Sequence, residues 1–231
     1  MLVALAEAFR LILALDGGVV AIAWLSLRVS LAAVAIACVL GIPAGAVIAI
    51  TRFPGRAGAI VVLNALMGLP AVVVGLIVYL ALSRSGPLGF LGLLFTPGAM
   101  VVAQALLVTP LVAALARQII EDADAELGEQ LRSLRLSAGQ HARTLVFDAR
   151  FSLLIAVLAA FGRAIAEVGA VLVVGGNIDG FTRTMTTAIS LETQKGDLPL
   201  ALALGVVLLA IVVAVNAVAA GVRSYAAGRY G

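Results

Sequence analysis

The chain has 231 residues, 63% of them hydrophobic and 12% charged, with a mean hydropathy of +1.19; ordinary soluble domains are roughly half apolar and about a quarter charged, so a soluble globular fold is excluded. The formal charge of +3 is the cationic surplus that orients membrane proteins and does not point to nucleic acid. A single cysteine, Cys38 in an apolar run, excludes an intramolecular disulfide and a thiolate metal cluster.

Residues 1–15 mix Glu7 and Arg10 with apolar neighbours and lack a charged leader followed by a small-residue cleavage site. They are read as uncleaved, and residues 1–18 as an amphipathic helix along the membrane interface. Residues 19–50 are apolar apart from Ser26, Arg28, Ser30 and the Gly41-Ile42-Pro43 step, and they end at Thr51-Arg52-Phe53-Pro54-Gly55-Arg56. This pattern predicts a first span and a tight turn. A second span is expected over residues 57–82, kinked at Gly68-Leu69-Pro70, where proline removes a backbone hydrogen bond. Residues 83–97 hold Arg84, Pro87 and several glycines around an apolar run too short to cross, which predicts a loop with an interfacial turn.

The third span covers residues 99–116. Composition then changes sharply: residues 117–150 carry Glu121, Asp122, Asp124, Glu126, Glu129, Arg132, Arg135, His141, Arg143 and Asp148, so this segment lies in water. With no proline and two glycines it reads as helical. A fourth span over residues 151–174 is interrupted by Arg163 and Glu167, a polar stretch follows over 175–197, and a fifth span covers 198–222. The expected fold is all-α: one polytopic membrane domain over residues 1–231 with about five transmembrane helices.

Basic residues set the orientation. One side collects Arg52, Arg56, Arg117, Arg132, Arg135, Arg143, Arg150, Arg223 and Arg229; the other has Arg10, Arg84, Arg183 and Lys195, while Arg28 and Arg163 lie within spans. The first side is expected in the cytoplasm, with the N-terminus outside. On that side, residues 117–150 could dock into a partner or simply connect two spans.

Glu129-Gln130-Leu131-Arg132-Ser133-Leu134, with Gly139 beyond it, resembles the Glu-Ala-Ala cytoplasmic loop of permease subunits of ATP-binding cassette (ABC) importers. Gln130 and Leu131 stand in place of the loop's two alanines, and Arg135 where its glycine falls. The stretch Phe161-Gly162-Arg163-Ala164-Ile165-Ala166-Glu167-Val168-Gly169-Ala170 is similar to the tungstate importer permeases, relatives of the molybdate and sulfate permeases. So are Val174-Gly175-Gly176-Asn177, Thr182-Arg183-Thr184-Met185-Thr186-Thr187 and Arg52-Phe53-Pro54-Gly55-Arg56. The resemblance implies the type I ABC importer permease fold in a bacterial or archaeal cytoplasmic (inner) membrane. It also implies a homodimer, two cytoplasmic ATPase subunits that hold the ATP and Mg, and an extracytoplasmic oxyanion-binding protein. Glu129, Gln130, Leu131, Arg132, Leu134, Arg135 and Gly139 are then the ATPase-coupling residues. The other substrates open to the same machinery are molybdate and sulfate; the other class is an ATP-independent secondary transporter or channel, for which inverted repeats are expected.

Arg163 and Glu167 stand four residues apart, on one helix face, where they can pair; unpaired, each is expensive at membrane depth. They either gate the anion route or fix helix packing. Asn177, Thr182, Arg183, Thr186 and Thr187, with Thr184 and Lys195, supply donors suited to an oxyanion or to the protein delivering one, or else form a plug bonded to its own backbone. No Gly-x-x-x-x-Gly-Lys-Ser/Thr loop is present, so ATP hydrolysis is assigned to another subunit, and the chain binds no cofactor of its own. His141, the only histidine, has no Cys or His neighbour and is read as a surface residue rather than a metal ligand. Gly41 and Gly45 have the spacing of a close helix contact.

Overall fold

The computed structural model describes residues 2–14 and 16–230; Met1 and Leu15, which belong to the helix expected over residues 1–18, lie outside the described residues. Among the described residues there are ten α-helices, one 3-10 turn (Gly89–Leu91) and no strand, which is the expected all-α class. Three helices are long and apolar enough to cross a membrane alone: α2 (Gly17–Ile50), α5 (Pro97–Ser133) and α10, which runs over Leu198–Tyr230. At 1.5 Å per residue each is about 50 Å long, against an apolar layer of about 30 Å. Two bent pairs raise the count of candidate spans to five.

The expected kink in the second span is a full break. Helix α3 (Arg56–Met67) and α4 (Ala71–Leu82) meet at 95°. Pro70 has no N–H and pushes Leu69 away from helical angles; its carbonyl then accepts from Val73 and Val74, which restarts the helix. Pro43 and Pro110, by contrast, lie inside unbroken helices. The third span also departs from expectation, because α5 runs on past Ala116 through the acidic segment to Ser133. Good helix formers, and an Arg117–Glu121 ion pair one turn apart, carry it there. The polar segment is helical as read, with interruptions at residues 134–137, where Arg135 takes a φ of +52°, and at Ala149. Ser137 then caps α6 (Ala138–Asp148): its hydroxyl accepts from Gln140 N at 3.3 Å, and the Gln140 side chain accepts from Ser137 N at 2.9 Å. Helix α7 (Arg150–Ile165) leaves α6 at 71°. The fourth span is divided in turn into α7 and the short α8 (Gly169–Gly175), and the following polar stretch holds α9 (Met185–Lys195). Helix α1 covers Leu2–Leu13.

The chain forms two compact units. The first comprises Met1–Ala33, Pro70–Ala105 and Gly162–Val215. Within it α4 packs on α8 at Gly75, where a Cβ would come within 2.8 Å of Ala170 Cα. The second comprises Val34–Leu69, Leu106–Phe161 and Asn216–Gly231. Its core is built on Ala46, Ile120, Leu131 and Leu145, with Leu127, Leu136 and Val146 against them. Within it α2 and α5 approach so closely at Gly45 that a Cβ would meet Ala113 O at 2.5 Å and Arg117 N at 2.8 Å.

Those neighbours are backbone atoms and cannot swing aside. Gly45→Val is therefore expected to cost at least about 1–3 kcal/mol through overpacking, read as loss of monodisperse protein on size-exclusion chromatography and a lowered unfolding temperature. Gly58→Ala, at a helical position with open space around the Cβ, is expected to raise stability by up to about 1 kcal/mol.

Candidate functional site

The first unit holds the densest set of polar groups inside an apolar frame, at the break between α7 and α8. Helical bonding stops at Ala166–Glu167–Val168, and three of the groups released there find side chains. The Ala164 carbonyl accepts from Gln104 Nε2 of α5 at 3.0 Å as well as from Glu167 N at 3.1 Å. The Glu167 carboxylate accepts from Ala170 N at 3.3 Å, in the manner of a helix cap, while its carbonyl accepts from Thr186 Oγ1 at 2.7 Å. Across the same break Arg163 Nη1 donates to Glu167 Oε2 at 2.6 Å. The pair thus forms at the sequence spacing of four, but over a helix end rather than along a helix face. Its partners differ in burial: the Glu167 side chain is 5% exposed and that of Arg163 is 51% exposed. The carboxylate is enclosed and the cation faces outward, so Arg163 can meet a further ligand while Glu167 holds it.

The residues after α8 are committed to their own chain. Thr182 is fully buried; its hydroxyl donates to Gly175 O at 2.6 Å and accepts from Ile178 N at 2.9 Å. Thr187 Oγ1 accepts from Thr184 N at 3.0 Å, and Ser26 Oγ of α2 accepts from Met185 N at 2.8 Å, so the first turn of α9 is bonded from two directions. Asn177, at a φ of +50°, directs its amide toward Thr187 O at 3.4 Å. The hydroxyls of Thr182, Thr186 and Thr187 bond backbone carbonyls, the plug arrangement of the two considered for this stretch. Arg183 differs: it reaches Asp179 at 3.0 Å and Glu192 at 3.7 Å, yet its Nε is buried without an acceptor. Lys195 pairs with Glu192 at 3.0 Å.

In the second unit, the expected coupling residues fall on three pieces. Glu129, Gln130, Leu131 and Arg132 end α5, Leu134 and Arg135 form the turn, and Gly139 opens α6. Leu131 is buried in the unit's own core, while the other six are exposed. Asp124 ties α5 to α6: His141 Nε2 lies 2.6 Å from its Oδ1, and Arg132 Nη1 lies 3.7 Å from its Oδ2. His141 is therefore no free surface residue. Glu121 gathers Arg56 and Arg117, and Arg56 Nε also caps the Ile48 carbonyl at 2.8 Å, closing the C-terminal end of α2. Arg52, Arg56, Asp124 and Arg132 line a polar cavity of about 760 Å³. Phe147, which sequence reasoning passed over, is exposed on α6 near the exposed Arg143. Its signal was available, since Leu145 and Val146 occupy the buried face and leave Phe147 off it. Gln104 and Ser26 gave no signal, being lone polar residues in apolar runs.

No protein-family model matches the chain. It is 44% identical over 218 residues to the tungstate uptake system permease protein TupB of Peptoclostridium acidaminophilum, covering 93% of this chain and 96% of the relative. It is 43% identical over 217 residues to a probable anion ABC transporter permease protein of Haloferax volcanii, covering 92% and 94%. With the sulfate transport system permease protein CysW of Synechocystis identity is 31% over 191 residues, covering 80% and 69%.

The unequal burial of the ion pair sets the order of two variants. Arg163→Ala leaves a buried carboxylate without its cation and is expected to cost roughly 1–3 kcal/mol; Glu167→Gln leaves a half-exposed guanidinium and keeps an acceptor for Ala170 N, so its cost is expected to be below about 1 kcal/mol. Thermal unfolding of the two purified variants checks the order. At the turn, Arg135→Gly removes a left-handed conformation that costs an L-residue about 1–2 kcal/mol and is expected to raise the unfolding temperature.

Proposed function

The chain belongs to the family of anion ABC transporter permeases, and on that premise we propose that it is the membrane subunit of an importer carrying tungstate into the cytoplasm. As a permease it is a multi-pass transport subunit and is not itself catalytic. The observation that carries the substrate is the 44% identity, over nearly the whole of both chains, to a relative named for tungstate uptake; the relatives named for sulfate and molybdenum stand at 30–31%.

The polar end of the second unit faces the cytoplasm in this reading, because its flank carries the larger count of arginines. Two ATPase subunits hold the ATP and Mg there and seat against α6 and the turn before it, where Leu134 and Phe147 are exposed beside Arg135 and Arg143. Two copies of the chain enclose the anion path between them, and an external binding protein delivers the anion. The membrane is the bacterial or archaeal cytoplasmic (inner) membrane. Arg163 meets the passing oxyanion with its outward guanidinium edge, and Glu167 competes for the same charge so that the anion leaves again. Helix α5 carries both Gln104, bonded at the α7–α8 break, and Asp124, bonded to α6. Asn177 and the bonded threonines hold the shape of the segment beside the gate.

Reconstitution with its ATPase in liposomes is expected to give ATP-dependent tungstate uptake, competed by molybdate more weakly than by unlabelled tungstate. Uptake at full rate without ATP sinks the importer reading in favour of a secondary transporter or channel. Leu134→Glu combined with Phe147→Glu is expected to abolish co-purification of the ATPase while the permease stays monodisperse.

A further inference from the structure

Arg28 is the only charged residue in the 34 residues of α2, and it is exposed with no carboxylate within ion-pairing distance among the described residues. A guanidinium within a spanning helix faces water or a partner group, because lipid cannot solvate it. Arg28 opens onto a cavity of about 290 Å³ whose wall also includes Trp24, Pro97, Gly180, Phe181 and Arg183. Arg183 is held in place, its side chain only 15% exposed and its Nη1 engaged by Asp179 and Glu192. Its buried Nε nevertheless lacks an acceptor, and a buried donor left unpaired costs about 1–3 kcal/mol. The surrounding charges do not cancel: Arg28, Arg183 and Lys195 face Asp179 and Glu192, which leaves one positive charge in surplus. One cavity therefore joins an unneutralised cation and a second guanidinium held at its wall, within mostly apolar walls that strengthen charge interactions.

We propose that Arg28 and Arg183 form a binding subsite for a doubly charged tetrahedral oxyanion, separate from the Arg163–Glu167 pair. Arg28 supplies the free charge. Arg183 supplies directed donors, and its exposed partner Asp179 takes the guanidinium back when the anion leaves. The subsite deepens the importer reading and rests on it for the identity of the anion.

Trp24 is the only tryptophan of the chain and lines this cavity, so its emission reports occupancy without a label. Titration of the full-length chain in neutral detergent with sodium tungstate is expected to give a saturable change in Trp24 emission, with molybdate next and chloride without effect. Arg28→Gln is expected to weaken the apparent Kd at least about tenfold, with Arg28→Lys in between. An unsaturable response of the unmodified chain, or the same titration curve in Arg28→Gln, overturns the subsite. A response seen only in nanodiscs of anionic phospholipid, and not with soluble oxyanion, assigns the cavity to a lipid phosphate and overturns it as well. ATP-driven tungstate uptake in liposomes, measured in parallel, separates the two ideas: uptake intact with no titration removes the subsite alone, whereas titration without uptake removes the importer reading and leaves an anion site.

Discussion

The structure depends on one constraint, that a backbone N–H or carbonyl released inside an apolar layer must be bonded by something other than water. Several interruptions of helix in the first unit are repaired by side chains. Gln104 reaches the Ala164 carbonyl, the Glu167 carboxylate takes Ala170 N, Ser26 takes Met185 N, and Thr182 and Thr186 donate to Gly175 O and Glu167 O. The polar residues of this unit are thus largely the cost of breaking helices there. The outward guanidinium of Arg163, the unaccepted Nε of Arg183 and the unbonded Gln104 Oε1 and Asn177 Oδ1 are among the groups that backbone repair does not consume.

The same constraint explains which features were legible in the sequence. The apolar cores of the three long helices follow from apolar length, though not the polar extension of α5 to Ser133, and the Arg163–Glu167 pair follows from its spacing. The donor-rich stretch over residues 175–197 was visible as a composition, but its use was not. Whether a threonine hydroxyl serves a ligand or a carbonyl depends on the local backbone path, and Thr182 turns inward because residues 176–182 loop back on Gly175. Gln104 and Ser26 bond to residues 60 and 159 positions away, a separation that no local pattern encodes.

Proline shows where local rules stop. Pro43, Pro70 and Pro110 all sit in apolar runs, yet only Pro70 ends a helix. Pro70 follows Gly68, whose backbone already departs from helical geometry with a ψ of 4°, so two weak points add. Pro43 lies between Gly41 and Gly45, where the helix is pressed against α5 backbone on the face that the glycines leave open, and that packing keeps α2 continuous through it. Leu131 is a similar case. As part of a loop motif it reads as partner-facing, but α5 extends past it and α6 folds back, so it fills the core that these two helices share with α2.

The distribution of cations then separates three tasks. Arg56 and Arg117 are spent on Glu121 and on the carbonyl end of α2, which is structural work. Arg132 is spent on Asp124 within α5, and the same carboxylate meets the His141 ring of α6, which ties the two helices together. Arg163 and Arg183 are each restrained by a buried carboxylate and yet keep donor capacity. On the importer reading proposed above, a cation of that third kind attracts a divalent oxyanion and still releases it, whereas a fully neutralised arginine does not attract it. On that reading the buried glutamate beside each arginine competes with the anion for the guanidinium. Burial of Glu167 and Glu192 keeps each carboxylate beside its arginine, and on the importer reading proposed above the helix break that encloses Glu167 belongs to the transport chemistry as well as to the fold.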